Sequence, residues 1–347
     1  MKLALLLIPA LLCGQVAKFR VKETAGLRRF SYPVRTSIRA NETSLALFEN
    51  GKQIPAQFTA RQGGEVEIDF NASPGPWESI DYRVEKAAAG EAAGNTISVT
   101  QADGKFTVRV GAQEYLVPEN LSVLLEKATG GPRSYVRSGS PGLLLNESPV
   151  IATKAFVTKR GPLVAGLRFE SPEQKSVVEM EFPRSKSWVE VRWTVDDRDR
   201  RVTSMSASLN LLIEGTPTLV DFGADSTVYG VLRAGQSFTL SAALGAPHWA
   251  VYLNEAMYAS KARSVAEGWA HVMDGKNATA IAVDKFGRHS GDLLAAGADG
   301  AVKIRRTLAP KSPRILHLWL HFVPMPVQLG AATSPQAILS PLTVERE

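Results

Sequence analysis

The chain has 347 residues, 44% hydrophobic, 21% charged and 7% aromatic, a globular balance that excludes a disordered chain, a collagen-like repeat and a multi-span membrane protein. The formal charge of +6 is spread along the chain, with Lys and Arg interleaved among Asp and Glu. That distribution argues against a nucleic-acid partner and leaves an anionic polysaccharide acceptable.

In chain order, Lys2 and the apolar run over 3–12, followed by Gly14, Gln15 and Ala17, have the pattern of a signal peptide over 1–17, which implies a secreted or periplasmic protein. As a helix the run is about 15 Å long, too short for a membrane span. Cys13 is the only cysteine; Leu12 before it is not small, and lipid attachment stays open. Over 18–88, short alternating runs punctuated by turn residues predict a small β-barrel-like domain. Within it, Asn50-Gly51 suits the centre of a two-residue hairpin. The Ala/Gly-rich stretch 86–95 reads as a linker.

Over 96–347 the strand pattern hardly stops, predicting a large β-sandwich and an all-β protein. Strands are expected at 121–125, 188–195, 269–273 and 315–322 among others. A Gly/Pro/Ser-rich loop is expected at 128–149, and the charged run 196–201 reads as a solvated turn. Residues 254–266 suit a short helix or ordered loop. Ser334-Pro335 carries an N-cap and a first-turn proline for a helical turn reaching about Leu339.

The window 316–322 alternates strictly, placing His317, Trp319 and His321 on one strand face and four apolar residues on the other. Indole stacks on apolar sugar faces and imidazole bonds hydroxyls, so this ladder suits a sugar-lined groove. Trp269 and His271 share a face in the same way, with Trp249 and Tyr252 close in sequence. A groove built from these strands would hold His271 and His317 as acid and base, with His321 alongside, Arg305 or Lys303 as charge neutraliser, and Trp249, Tyr252, Trp269 and Trp319 as the substrate-binding surface. The alternative for each is an ordinary packing residue. His317 and His321 lie about 13 Å apart on a strand, too far to share one zinc; no metal site and no cofactor are expected.

Three segments carry a resemblance: Arg20 to Val34 (Arg-Val-Lys-Glu-Thr-Ala-Gly-Leu-Arg-Arg-Phe-Ser-Tyr-Pro-Val), Gly51 to Gln57 (Gly-Lys-Gln-Ile-Pro-Ala-Gln) and Lys159 to Ala165 (Lys-Arg-Gly-Pro-Leu-Val-Ala). The first two resemble the N-terminal barrel domain of exo-rhamnogalacturonan lyase-like proteins, and the third is similar to that family's central, galactose-mutarotase-like sandwich. The family's C-terminal α/α toroid has no counterpart in this sequence. The resemblance implies fold and substrate class, and no catalytic residue. Two readings follow: a secreted carbohydrate-active protein that binds or acts on polysaccharide through the large β-sandwich, with pectin-type substrate and lyase-like action as the resemblance implies, or a non-catalytic β-sandwich module binding a glycan or a protein. Oligomeric state is not legible.

Overall fold

The computed structural model describes residues 15–41, 44–86, 97–243, 248–288, 290–327 and 332–346. The fold is all-β, with one five-residue helix, Pro335–Leu339, among the described residues. It divides into two units, residues 1–93 with 342–347, and residues 94–341.

The first unit is two small sheets. The five-stranded one runs Thr343–Arg346, Gln15–Lys22, Ser79–Lys86, Leu45–Glu49, Lys52–Ile54, and the three-stranded one Tyr32–Arg39, Glu65–Ala72, Ala56–Arg61. Alternating residues fill the space between them, where the rings of Phe19, Phe70 and Tyr82 meet at 4.9–5.6 Å. Glu49 pairs with Lys52 across Asn50 (φ 49°) and Gly51 (φ 79°), the positive dihedrals a two-residue hairpin needs. At the edge of the unit the buried Glu23 and Arg29 form an ion pair of 2.8 Å.

Two boundaries differ from the sequence reading. The large domain does not run to Glu347, because Thr343–Arg346 pairs with Gln15–Lys22 in the first unit. Gln15 and Ala17, assigned above to the leader, already pair with Glu85 and Val84. The rest of the leader, including Cys13, and residues 87–95 of the expected linker lie outside the described residues.

The second unit is a sandwich. One layer is a nine-stranded sheet in the order Lys154–Arg160, Val164–Ser171, Ser176–Pro183, Trp188–Val195, Ile315–Pro324, Asn277–Val283, Trp269–Met273, Thr218–Gly223, Thr227–Leu232. Packed on its inner face are a second nine-stranded sheet, with Ser204–Leu211, Ala301–Leu308, Ser290–Gly297, Ser237–Ala242 and His248–Leu253 at its centre, and a five-stranded sheet built from 97–134. Leu316, Leu318, Leu320 and Phe322 all point into this core, as their alternation requires.

Local differences have non-local causes. Residues 256–262 form a strand, not a helix or loop, because Ala256–Ala262 completes a hairpin with His248–Leu253. The expected loop 128–149 contains short strands such as Leu143–Leu145, which pairs with Ser204–Leu211. Residues 121–125 turn, with Leu121 at φ 53°, and carry no strand. Asp197, in the expected solvated turn, is buried against Arg314 at 2.9 Å. Burial alone would raise its pKa; backbone N–H groups of Val202 and Arg201 and the Arg314 guanidinium lower it instead. The Ser334 cap is present: its hydroxyl accepts from the Ala337 N–H, and the helix ends at Leu339.

Candidate functional site

The eight expected site residues separate three ways. His271, His317, His321, Trp269 and Trp319 share the outer face of the first nine-stranded sheet, since their alternate neighbours enter the core. Arg305 and Tyr252, with Lys303, lie on the outer face of the other nine-stranded sheet, because their neighbours Ile304 and Val251 point into the same core from the opposite side. Trp249 is itself a core residue. Arg305, Tyr252 and Trp249 therefore do not join the histidines. Arg305 instead sits 3.3 Å from Glu147.

On the histidine face, adjacent strands set the register. Glu190, Trp319, Ala282, Trp269 and Gly223 form one cross-strand row, and Trp188, His321, Ala280, His271, Asp221 and Tyr229 the next. His271 is two strands from His321, and His317 lies four residues further along, so His271 and His317 are roughly 16 Å apart by strand geometry. An acid and a base that serve one glycosidic bond sit within about 10 Å of each other. By Cα spacing, this pair lies outside that range.

Each histidine has its own environment. The His271 Nδ1–H donates to Asp221 Oδ1 at 2.8 Å, and the His317 Nε2–H to Glu190 Oε1 at 2.8 Å. His321 is 1% exposed, its Nε2 accepting from the Thr333 N–H at 3.1 Å. That bond leaves the proton on Nδ1, which donates to Ser187 Oγ at 3.2 Å; Ser187 in turn donates to the Phe322 carbonyl at 2.6 Å. Burial pushes the His321 pKa down to about 4, against a hydrogen bond to the Ser187 backbone, with smaller effects of Lys186 and His271 in the same direction as burial. Beside it, burial lowers the Lys186 amine to about 8.

The two tryptophans are not open platforms. Trp269 is 4% and Trp319 9% exposed. The helix Pro335–Leu339 packs against the strand Asn277–Val283, which separates them, where Ala278, Ala280 and Ala282 leave room for it. Thr333 bonds His321, and Gln336 Nε2 donates to Glu267 at 3.2 Å, fixing this cover on both sides. The Trp269 Nε1–H also donates to Glu267, with the indole lying over Gly223, where a Cβ would come 2.0 Å from that nitrogen.

Beyond the cover the face opens. Tyr229, which sequence reading passed over, is 70% exposed and stands in register with Asp221, next to His271. Leu219 and Val231, paired in the adjacent row, are exposed as well. Alternation places Asp221 opposite Val220 and Phe222, a signal that a polar residue faces outward there; nothing local says that the strand bearing Tyr229 is the sheet's edge. On the other outer face, small side chains leave a trough of about 520 Å³ lined by Ser208, Asn210, Ser237, Gly297 and Lys303 among others. Among the described residues no group of three or more His, Cys, Asp or Glu is placed to hold a metal, and no helix is long and apolar enough to cross a membrane.

No family model and no curated protein matches the chain. Among solved structures it is similar to a TPR-domain containing protein from Parabacteroides distasonis ATCC 8503, with TM-score 0.40 and 8% identity over 90% of this chain and 60% of that one. It is similar to the alpha-galactosidase from Lactobacillus brevis with TM-score 0.28 and 10% identity, over 66% of this chain and 40% of that one. For an uncharacterized protein from Listeria monocytogenes EGD-e the values are 0.19 and 8%, over 84% and 29%. The chain thus spans less than two thirds of each of these structures, and likenesses this distant assign it no activity.

Proposed function

We propose that the chain is a glycan-binding β-sandwich module that holds a polysaccharide or oligosaccharide without cleaving it. The observation that carries this reading is the exposed Tyr229 ring beside the Asp221–His271 pair on one sheet face. A phenol ring stacks on the apolar face of a sugar, and a carboxylate and imidazole beside it exchange hydrogen bonds with hydroxyls. The distance between His271 and His317 favours binding over cleavage. The leader-like segment over 3–12 supports an exported protein, and the resemblance of residues 20–34, 51–57 and 159–165 to exo-rhamnogalacturonan lyase-like proteins makes pectic glycans the first class to try.

The test is affinity electrophoresis and calorimetric titration against pectic and other polysaccharides, with reducing and unsaturated ends followed in parallel. We expect retention by at least one polysaccharide, about a fivefold or greater loss in Tyr229→Ala, taking the about 1–3 kcal/mol that an aromatic contributes when it stacks on a nucleic-acid base as the scale, and no new chain ends. Accumulating ends would replace the module reading by an enzymatic one. Unchanged retention in Tyr229→Ala would remove this face from the reading.

A further inference from the structure

At one end of the first nine-stranded sheet, away from Tyr229, lies a cavity of about 240 Å³ whose lining includes Arg192, Asp284, Lys285, Arg306, Ile315 and His317. Its cations have different standing. Arg306 is fixed: its guanidinium donates to both Asp292 oxygens at 3.0 and 2.9 Å and to the carbonyls of Ile315 and Asp284. Asp292 neutralises its charge. Lys285 lies 3.9 Å from Asp284, a loose pair. Arg192 pairs in register with His317 across the strands, while its acidic neighbour Glu179 is taken by Arg168 at 3.0 Å. Arg192 thus has no ion pair among the described residues. His317, whose Nε2–H donates to Glu190, keeps Nδ1 as an acceptor.

After pairing, the cavity keeps about one uncompensated positive charge on Arg192, a group whose planar donors match a carboxylate. Leu308 and Pro313 complete an apolar wall with Ile315. The volume falls below the range of about 300–1,000 Å³ typical of sites for drug-sized ligands, which limits the occupant to something near one ring in size. We propose that this cavity binds a small monocarboxylate with a ring-sized body, its carboxylate on Arg192 and Lys285 and a hydroxyl on His317. This site lies further along the strands than the Tyr229 row and shares no residue with it, so it does not depend on the glycan-binding reading.

The Trp319 ring lies 4.0 Å from the His317 ring, so its fluorescence reports occupancy. Titrating the full chain with glucuronate, glucose and acetate should give a saturable signal for glucuronate, a weaker one for acetate and none for glucose. Arg192 and Lys285 are exposed, so Arg192→Gln and Lys285→Gln should melt like the parent. The first should weaken glucuronate at least tenfold and the second less. Glucose binding as well as glucuronate, no response to glucuronate, or an unchanged affinity in Arg192→Gln would each overturn the proposal. Tyr229→Ala should leave glucuronate binding intact, which separates failure here from failure of the glycan face.

Discussion

Replacing Trp319 by alanine decides whether the indole on the histidine face is structural or a platform. The ring is 9% exposed, lies tilted at 40° against the His317 ring with centroids 4.0 Å apart, and is in register between Glu190 and Ala282. An aromatic side chain of this kind buries about 150–250 Å², which at about 25 cal/mol per Å² is about 4–6 kcal/mol of transfer free energy. Alanine retains part of that contact and the surroundings relax in part, leaving the loss of about 3–5 kcal/mol found for large aromatic truncations in cores. With melting temperature falling about 2–4 °C per kcal/mol for domains of about this size, the expected drop is about 6–20 °C. Differential scanning calorimetry reads it, and urea unfolding with an unchanged slope confirms a loss of stability. Tyr229→Ala is the internal control: a ring 70% exposed should contribute no more than about 0.5 kcal/mol. A loss below about 1 kcal/mol for Trp319→Ala would refute the packing assignment and return this ring to the list of binding groups.

His321, with its pKa lowered to about 4 against an ordinary 6.5, binds its proton less well in the folded chain than in the unfolded one. Burial of this ring therefore costs the fold nothing through titration above about pH 6.5 and costs up to about 3 kcal/mol as pH falls to about 4. Melts of the parent and His321→Gln across that window should show the slope in the parent alone. Glu23 is held at about pKa 2: burial alone would raise it, but Arg29 and the N–H groups of Trp77, Ala25 and Leu27 more than reverse this. Its contribution is full above about pH 4.5 and is lost on acidification toward pH 2, whereas Arg29→Met should cost about 3–5 kcal/mol at neutral pH by leaving a buried carboxylate unpaired. Chemical denaturation at pH 7 would contradict this with a loss under about 1 kcal/mol. Gly223→Ala places a methyl group where the Trp269 indole lies, and an overpacking cost of about 1–3 kcal/mol with a changed near-ultraviolet spectrum should follow; a variant as stable as the parent would mean the indole is not seated there.

What the sequence determined by itself is local. Period-two alternation made the chain all-β and sent Leu316, Leu318, Leu320 and Phe322 inward; positive dihedrals at Asn50 and Gly51 gave a hairpin; Ser334 and Pro335 opened one helical turn. Each follows from the conformational preferences of neighbouring residues. Alternation even carried the phase that buries Trp249 with Val251, since both share one strand face.

Tertiary structure alone decided which strands lie side by side. Trp249, Tyr252 and Arg305 are near the histidine strands in sequence, yet their strands pair into the opposite sheet. It decided that Thr343–Arg346 returns to Gln15–Lys22, and that Asp197 meets Arg314. It decided, above all, that an outward strand face need not be an open one: the segment carrying Thr333 and Pro335–Leu339 lies over the Trp319 and Trp269 region, while Tyr229, on an edge strand, is left uncovered. The reason is that a strand's pattern encodes its two faces, whereas its neighbours and its cover are set by backbone pairing and packing between segments far apart in the chain, which no periodicity records.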